Sequence, residues 1–148
     1  MDPNHYRFTS VWDLPAPPAA VHHALGRPED YPRWWPQVRR VTRVDDTTAR
    51  AYFRSFLPYG LRLTLRRGRY DPAAGVLEAV LGGDLDGWAR WTVTPYGTGS
   101  RVLYEQEVVV RKALLRRLAV PGRPFFRVNH TLMMRAGRRG LAAWLRAV

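Results

Sequence analysis

Apolar and polar positions alternate at the start of the chain. In "YRFTSVWDL", Tyr6, Phe8, Trp12 and Leu14 fall on one side and Arg7, Thr9 and Asp13 on the other. That period of two predicts a half-buried strand. In the "PAPPAAVHHALGRP" that follows, Pro17 and Pro18 suit a first helical turn, and Gly26 with Pro28 closes a short helix. "PEDYPRWWP" predicts a second short helix, stopped by Pro36. From Val38 the alternation returns in six more runs. Turns at Asp45-Asp46, Pro58-Tyr59-Gly60, Asp71–Gly75 and Tyr96–Gly99 connect them as consecutive antiparallel hairpins. After a basic connector, "ALLRRLAVPGRP", the period changes. From near Pro124, Phe126, His130, Met133, Met134, Gly137, Leu141, Trp144 and Leu145 recur every three or four residues, forming one stripe of a long helix.

The predicted order is strand, two short helices, six strands, one long helix. It specifies an α+β architecture in which a seven-stranded antiparallel sheet buries one face beneath the final helix. With 148 residues and no repeat or linker, the chain reads as a single domain over 1–148. A sheet curled around the helix leaves room for a gap between them, and a ligand would occupy such a gap.

Composition removes several chemistries. There is no cysteine, so disulfides, thiolate nucleophiles and cysteine-bound metals are excluded. No His/Asp/Glu cluster has metal-ligand spacing, and no phosphate-cradling glycine loop or G-x-S-x-G elbow is present. Acidic residues sit mostly in turns, which leaves no carboxylate pair for catalysis. Neither a metal nor a cofactor is expected. No run of 18 apolar residues exists. "MDPNHYRF" lacks the charged and apolar regions of a signal peptide, so a cytoplasmic protein is expected. The net charge of +12 raises nucleic acid or anionic membrane as partners. However, Lys112 is the only lysine, and the arginines are spread through every segment, as arginine-rich codon usage would leave them. No nucleic-acid motif accompanies them, so nucleic acid is not an expected partner.

The succession of "LPAPPAAV" after the first strand, "YPRWWPQV" entering the second, and one C-terminal helix resembles the START-like (SRPBCC, Bet v 1-like) helix-grip superfamily, in its bacterial polyketide cyclase-like branch. The resemblance covers nearly the whole chain. It implies a curved sheet gripping the last helix around a cavity for lipids, sterols, isoprenoids or polyketides, with catalysis in a minority of members. In polyketide cyclases of this superfamily an arginine on a middle strand points into the cavity, beside tyrosine and tryptophan. Arg67 is its best positional counterpart here, and Arg69 the next.

The residues themselves nominate the same wall. In "LRLTLRRGRY" the alternation turns Leu61, Leu63 and Leu65 inward, then Arg67, unless a bulge at Gly68 turns it out. In "RVLYEQEVVV", Val102, Tyr104, Gln106 and Val108 face inward; Glu105 and Glu107 face outward toward Arg90, Arg62 and Arg66. Phe53, Ser55 and Trp91 also face inward. Of Trp34 and Trp35, one plugs the end of the cavity and the other faces its mouth. On the last helix, His130 is either a core histidine with one partner or a polar group aimed at a ligand. Asn129 reads first as an anchor. Met133 and Met134 are adaptable filling, and Gly137 and Gly140 mark a close approach or a bend.

Three functions follow as expectations. The first is binding of a hydrophobic small molecule by Trp35, Phe53, Ser55, Leu63, Leu65, Trp91, Met133 and Met134, oriented by Arg67, Tyr104, Gln106 and His130. The second is a polyketide cyclase/aromatase with Arg67, Tyr104 and His130 as catalytic groups. The third is peripheral contact with an anionic membrane through the connector Val110–Arg127, whose Arg111, Lys112, Arg116, Arg117 and Arg123 alternate with leucines that could equally cap the core.

Overall fold

A computed structural model describes residues 2–54, 60–117 and 121–147. Strand β1 (His5–Leu14) leads into helix α1 (Pro18–Leu25), a 3-10 turn (Pro28–Asp30) and helix α2 (Tyr31–Trp34). Six strands follow: β2 (Val38–Arg43), β3 (Thr48–Arg54), β4 (Gly60–Asp71), β5 (Val76–Gly83), β6 (Leu85–Tyr96) and β7 (Gly99–Val110). The chain closes with α3 (Ala113–Arg117) and α4 (Arg123–Ala147). The strands form one antiparallel sheet in the order β1-β7-β6-β5-β4-β3-β2, so β1 returns to pair with the last strand. This is the α+β architecture that the element order predicts and the helix-grip fold that the resemblance implies.

Local chemistry fixes the connections. Asp45 Oδ1 accepts the Thr47 N–H at 2.9 Å in the β2–β3 turn, and Asp71 Oδ1 accepts the Ala74 N–H at 3.1 Å in the β4–β5 turn. Gly97 takes φ +58° in the two-residue hairpin between Tyr96 and Gly99. The β3–β4 turn expected at Pro58-Tyr59-Gly60 lies outside the described residues except for Gly60. Part of the basic connector is helical where no helix was predicted: Arg116 N–H donates to Lys112 O, and Leu115 is buried. Five residues are too short a stretch for periodicity to announce.

Side chains on the concave face gather in two groups. The larger joins Trp12, Trp34, Trp35 and Trp91 to α1 and the C-terminal half of α4. The smaller joins Tyr6, Leu63, Leu81, Leu85 and Val108 to Leu115 and Phe126. Two contacts clamp α4 onto α2. A Cβ at Gly140 would fall 1.6 Å from the Trp34 carbonyl oxygen, and one at Gly137 would fall 2.6 Å from the Trp35 ring. Glycine is needed at both places to let the helix close on α2, which settles the choice between close approach and bend.

Candidate functional site

Between the two groups lies a cavity of about 240 Å³, walled by β1, the central strands and the N-terminal half of α4. Strand alternation sets its wall. Leu63 faces Ala51 and Leu65 faces Leu81 across the ladders, on the same side as Ala79, Ala89 and Trp91. Phe53, Leu63, Leu65, Met133 and Met134 all line the cavity. Trp35 does too, and its Nε1–H donates to the Met133 carbonyl at 2.8 Å. Both tryptophans of α2 and its C-terminal edge are buried, so the expectation that one faces the mouth is corrected: Trp34 packs behind Trp35, rings 5.5 Å apart and nearly parallel.

The polar groups in this apolar wall are connected. Gln106 is 7% exposed, and its Oε1 accepts the Tyr104 hydroxyl at 2.5 Å and His130 Nε2 at 3.2 Å. Two donors meeting one oxygen fix the histidine as the Nε2–H tautomer. Burial, with Arg127 nearby, pushes the His130 pKa down to about 4, so the imidazole is neutral at pH 7. Burial pushes the Tyr104 phenol well above its ordinary range, so it stays protonated. His130 therefore has a partner, as the core reading requires, and it also lines the cavity, as the ligand reading requires.

Arg67 is placed differently from the expectation. Its register opposite Ala79 is on the concave side, but the ladder slips between Arg67 and Tyr70. The side chain is exposed, with its guanidinium 4.5 Å from the centroid of the Tyr70 ring. It stands on the rim with Arg43, Asp46 and Thr47, not inside. Strand alternation gives the face a side chain is on; it does not give how far along the strand the cover extends. Arg69 is exposed and pairs with Asp71 at 3.3 Å. Ser55 lies outside the described residues.

On the convex face, Glu105 pairs with Arg90 at 3.7 Å as predicted, whereas Glu107 takes His5 at 2.9 Å and Arg7 at 3.5 Å. Arg62 instead lies over the Tyr52 ring, and no pairing of Arg66 with either glutamate is seen among the described residues. Leu115 caps the smaller core, while Leu114 and Leu118 lie outside what is described.

Among the lining residues not nominated from the sequence are Tyr6, Phe8 and Tyr31; Asn129, read first as an anchor, lines the cavity as well. Tyr6 and Phe8 share the inward alternation of β1, which is a usable signal. The Tyr6 hydroxyl and Asn129 Oδ1 are buried without a hydrogen-bond partner, two polar atoms beside an apolar space. No group of three or more His, Asp or Glu side chains comes together among the described residues. No helix among them is long and apolar enough to cross a membrane.

Comparison with known proteins gives the same architecture. The family model described as polyketide cyclase / dehydrase and lipid transport matches residues 5–146. No curated protein matches the sequence. Among solved structures, the ZhuI aromatase/cyclase of a Streptomyces species superposes with TM-score 0.80 at 14% identity, covering 96% of this chain and 94% of that one. The protein TTHA0849 of Thermus thermophilus gives 0.79 at 17% identity, covering 97% of each chain. A START superfamily protein of Mycobacterium smegmatis gives 0.73 at 16% identity, covering 95% and 97%. At these identities the likeness is one of fold.

Proposed function

The chain belongs to the polyketide cyclase / dehydrase and lipid transport family, and from that premise we propose that it binds a neutral, hydrophobic small molecule carrying at least one oxygen. The observation that carries this reading is the Tyr104–Gln106–His130 network set into the apolar cavity wall. It offers hydrogen bonds without charge. A buried carboxylate would need a cation, and the arginines near the cavity are at its rim. The volume of about 240 Å³ exceeds the roughly 150 Å³ at which an apolar cavity accepts benzene, and is just below the usual range for ligand sites. The ligand is therefore compact: a small polyketide-like ring system or a short isoprenoid fits better than a long-chain lipid. Its oxygen meets the network.

Organic extraction of the purified protein followed by mass spectrometry tests the reading directly. A retained hydrophobic compound is the expected result. At ligand concentrations about a hundredfold above Kd, binding adds about 2.7 kcal/mol to stability, which raises Tm by roughly 5–10 °C. An empty extract, together with no Tm shift across a panel of aromatic and isoprenoid compounds, defeats it.

A catalytic reading, polyketide cyclisation or aromatisation, has one observation in its favour. Arg67 has no carboxylate partner among the described residues and lines the cavity beside Tyr70, so its guanidinium is free to meet an enolate oxygen that reaches the rim. His130 supports it less: an imidazole titrating near 4 donates and accepts hydrogen bonds at pH 7 but is a weak base. If cyclisation of a poly-β-ketone gives the same products with Arg67→Ala as with the wild-type protein, this reading fails.

A further inference from the structure

The face of α4 turned away from the cavity has its own pattern. Phe125, Val128 and Leu132 are 61%, 52% and 43% exposed, and Phe125 is the most exposed large apolar side chain among the described residues. Spacings of three and four put them on one ridge, opposite His130, Met134 and Leu141. Continuing by three and seven residues from Leu132, the same ridge carries Arg135 and Arg139. Arg146 falls on it too, and α4 contains no acidic residue; Arg123 and Arg127 lie on the opposite side, over the Tyr6 ring, with Arg123 donating to the Pro3 and His5 carbonyls. Three arginines, Arg135, Arg139 and Arg146, thus continue an apolar ridge that the described residues leave exposed.

We propose that this ridge docks on an anionic lipid bilayer, with Phe125, Val128 and Leu132 entering the interfacial layer and Arg135, Arg139 and Arg146 meeting the headgroups. Apolar insertion and electrostatic attraction are the two contributions that together give reversible membrane binding. A second copy of the chain fits the ridge poorly. An isologous contact would oppose arginines to arginines, and three side chains along about 10 Å of helix cover far less than the roughly 800 Å² per partner of a stable interface. Nucleic acid would gain nothing from exposed phenylalanine, valine and leucine. The convex face of β2–β4, where Arg40 and Arg62 flank Tyr52 at 5.9 and 5.8 Å, would suit it better. The docking surface shares Phe125 with the connector Val110–Arg127 nominated by the sequence but otherwise lies further along α4; the connector's Leu115 is buried in the core. The proposal does not depend on what the cavity holds.

The experiment is co-sedimentation of the full chain with two vesicle types: phosphatidylcholine alone, and phosphatidylcholine with about one-third phosphatidylglycerol. Each is tested at about 0.05 M and 0.5 M NaCl. Binding is expected only to the anionic vesicles and should weaken sharply in the high salt. The triple variant Phe125→Ser, Val128→Ser, Leu132→Ser should lose about tenfold or more in partitioning while keeping the wild-type Tm, because all three side chains are exposed. Arg40→Glu with Arg62→Glu on the convex sheet should bind vesicles as the wild type does. Three results would overturn the proposal: no binding to anionic vesicles at low salt, binding unchanged in the triple serine variant, or a wild-type dimer that the same variant converts to monomer.

Discussion

The imidazole of His130 lies flat against the ring of Phe8, centroids 3.7 Å apart and planes 8° from parallel. Stacked on one side and hydrogen-bonded at its edge to Gln106, the ring is held in the form that favours neutrality.

That arrangement makes stability pH-dependent in a definite direction. Folding lowers the His130 pKa from 6.5 to about 4. Between those values the unfolded chain takes up a proton that the folded chain refuses, so stability falls as pH drops from about 6.5 to 4 and recovers as pH rises. His130 should account for about 2–3 kcal/mol of this change. Urea unfolding of wild type and His130→Gln across that range measures it. The wild type should lose more stability than the variant, and parallel curves would contradict the assigned burial.

Gln106→Leu keeps the volume and removes the shared acceptor. The Tyr104 hydroxyl and His130 Nε2–H would then be buried without a partner, at a cost of about 1–3 kcal/mol. Ligand binding should weaken as well, since the network loses its geometry. Chemical denaturation reads the first effect, and ligand-induced Tm shift reads the second.

Glycine-to-alanine substitutions should separate by site. At Gly140 the added methyl meets the Trp34 carbonyl at 1.6 Å, and about 3 kcal/mol of stability should be lost. At Gly82 nothing lies within 4 Å, and the change should stay within about 0.5 kcal/mol. Equal effects at both positions, measured by thermal unfolding, would mean that α4 does not press on α2.

Filling the cavity should separate binding from folding. Ala89 lines the space on β6, and Ala89→Leu projects a larger side chain into it. Stability should change by less than about 1.5 kcal/mol, because the space is already there. The compound found in the wild-type extract should be absent or greatly reduced in that of the variant.

What the sequence revealed depends on what periodicity can encode. Alternation along β4 and β7 assigned Leu63, Leu65, Tyr104 and Gln106 to the concave side, because one face of a sheet is a strictly local property. The same rule put Arg67 on that face, but whether a side chain there is covered depends on where α1, α2 and α4 end above it, which is a non-local matter. The Tyr104–Gln106–His130 network joins β7 to α4 across 24 residues of sequence, so spacing shows its members but not their contact. Asn129 Oδ1 and the Tyr6 hydroxyl became notable only once their lack of partners was visible. Tyr31 is buried with its hydroxyl on the Leu25 carbonyl, a contact made by the fold of α1 onto α2 that no repeat announces.

The clamp at Gly137 and Gly140, with the Trp35 indole bonded to the Met133 carbonyl, gives α4 two unequal halves. Toward its C-terminus the helix is bolted: Leu141 and Ala142 are buried and α2 closes over it. Toward its N-terminus it rests on the cavity and exposes Phe125, Val128 and Leu132. The helix is thus a cantilever with its fulcrum near Met133. Any traffic of a guest past α4 would lift the beam from its N-terminal end, and amide exchange should run faster before Met133 than after it.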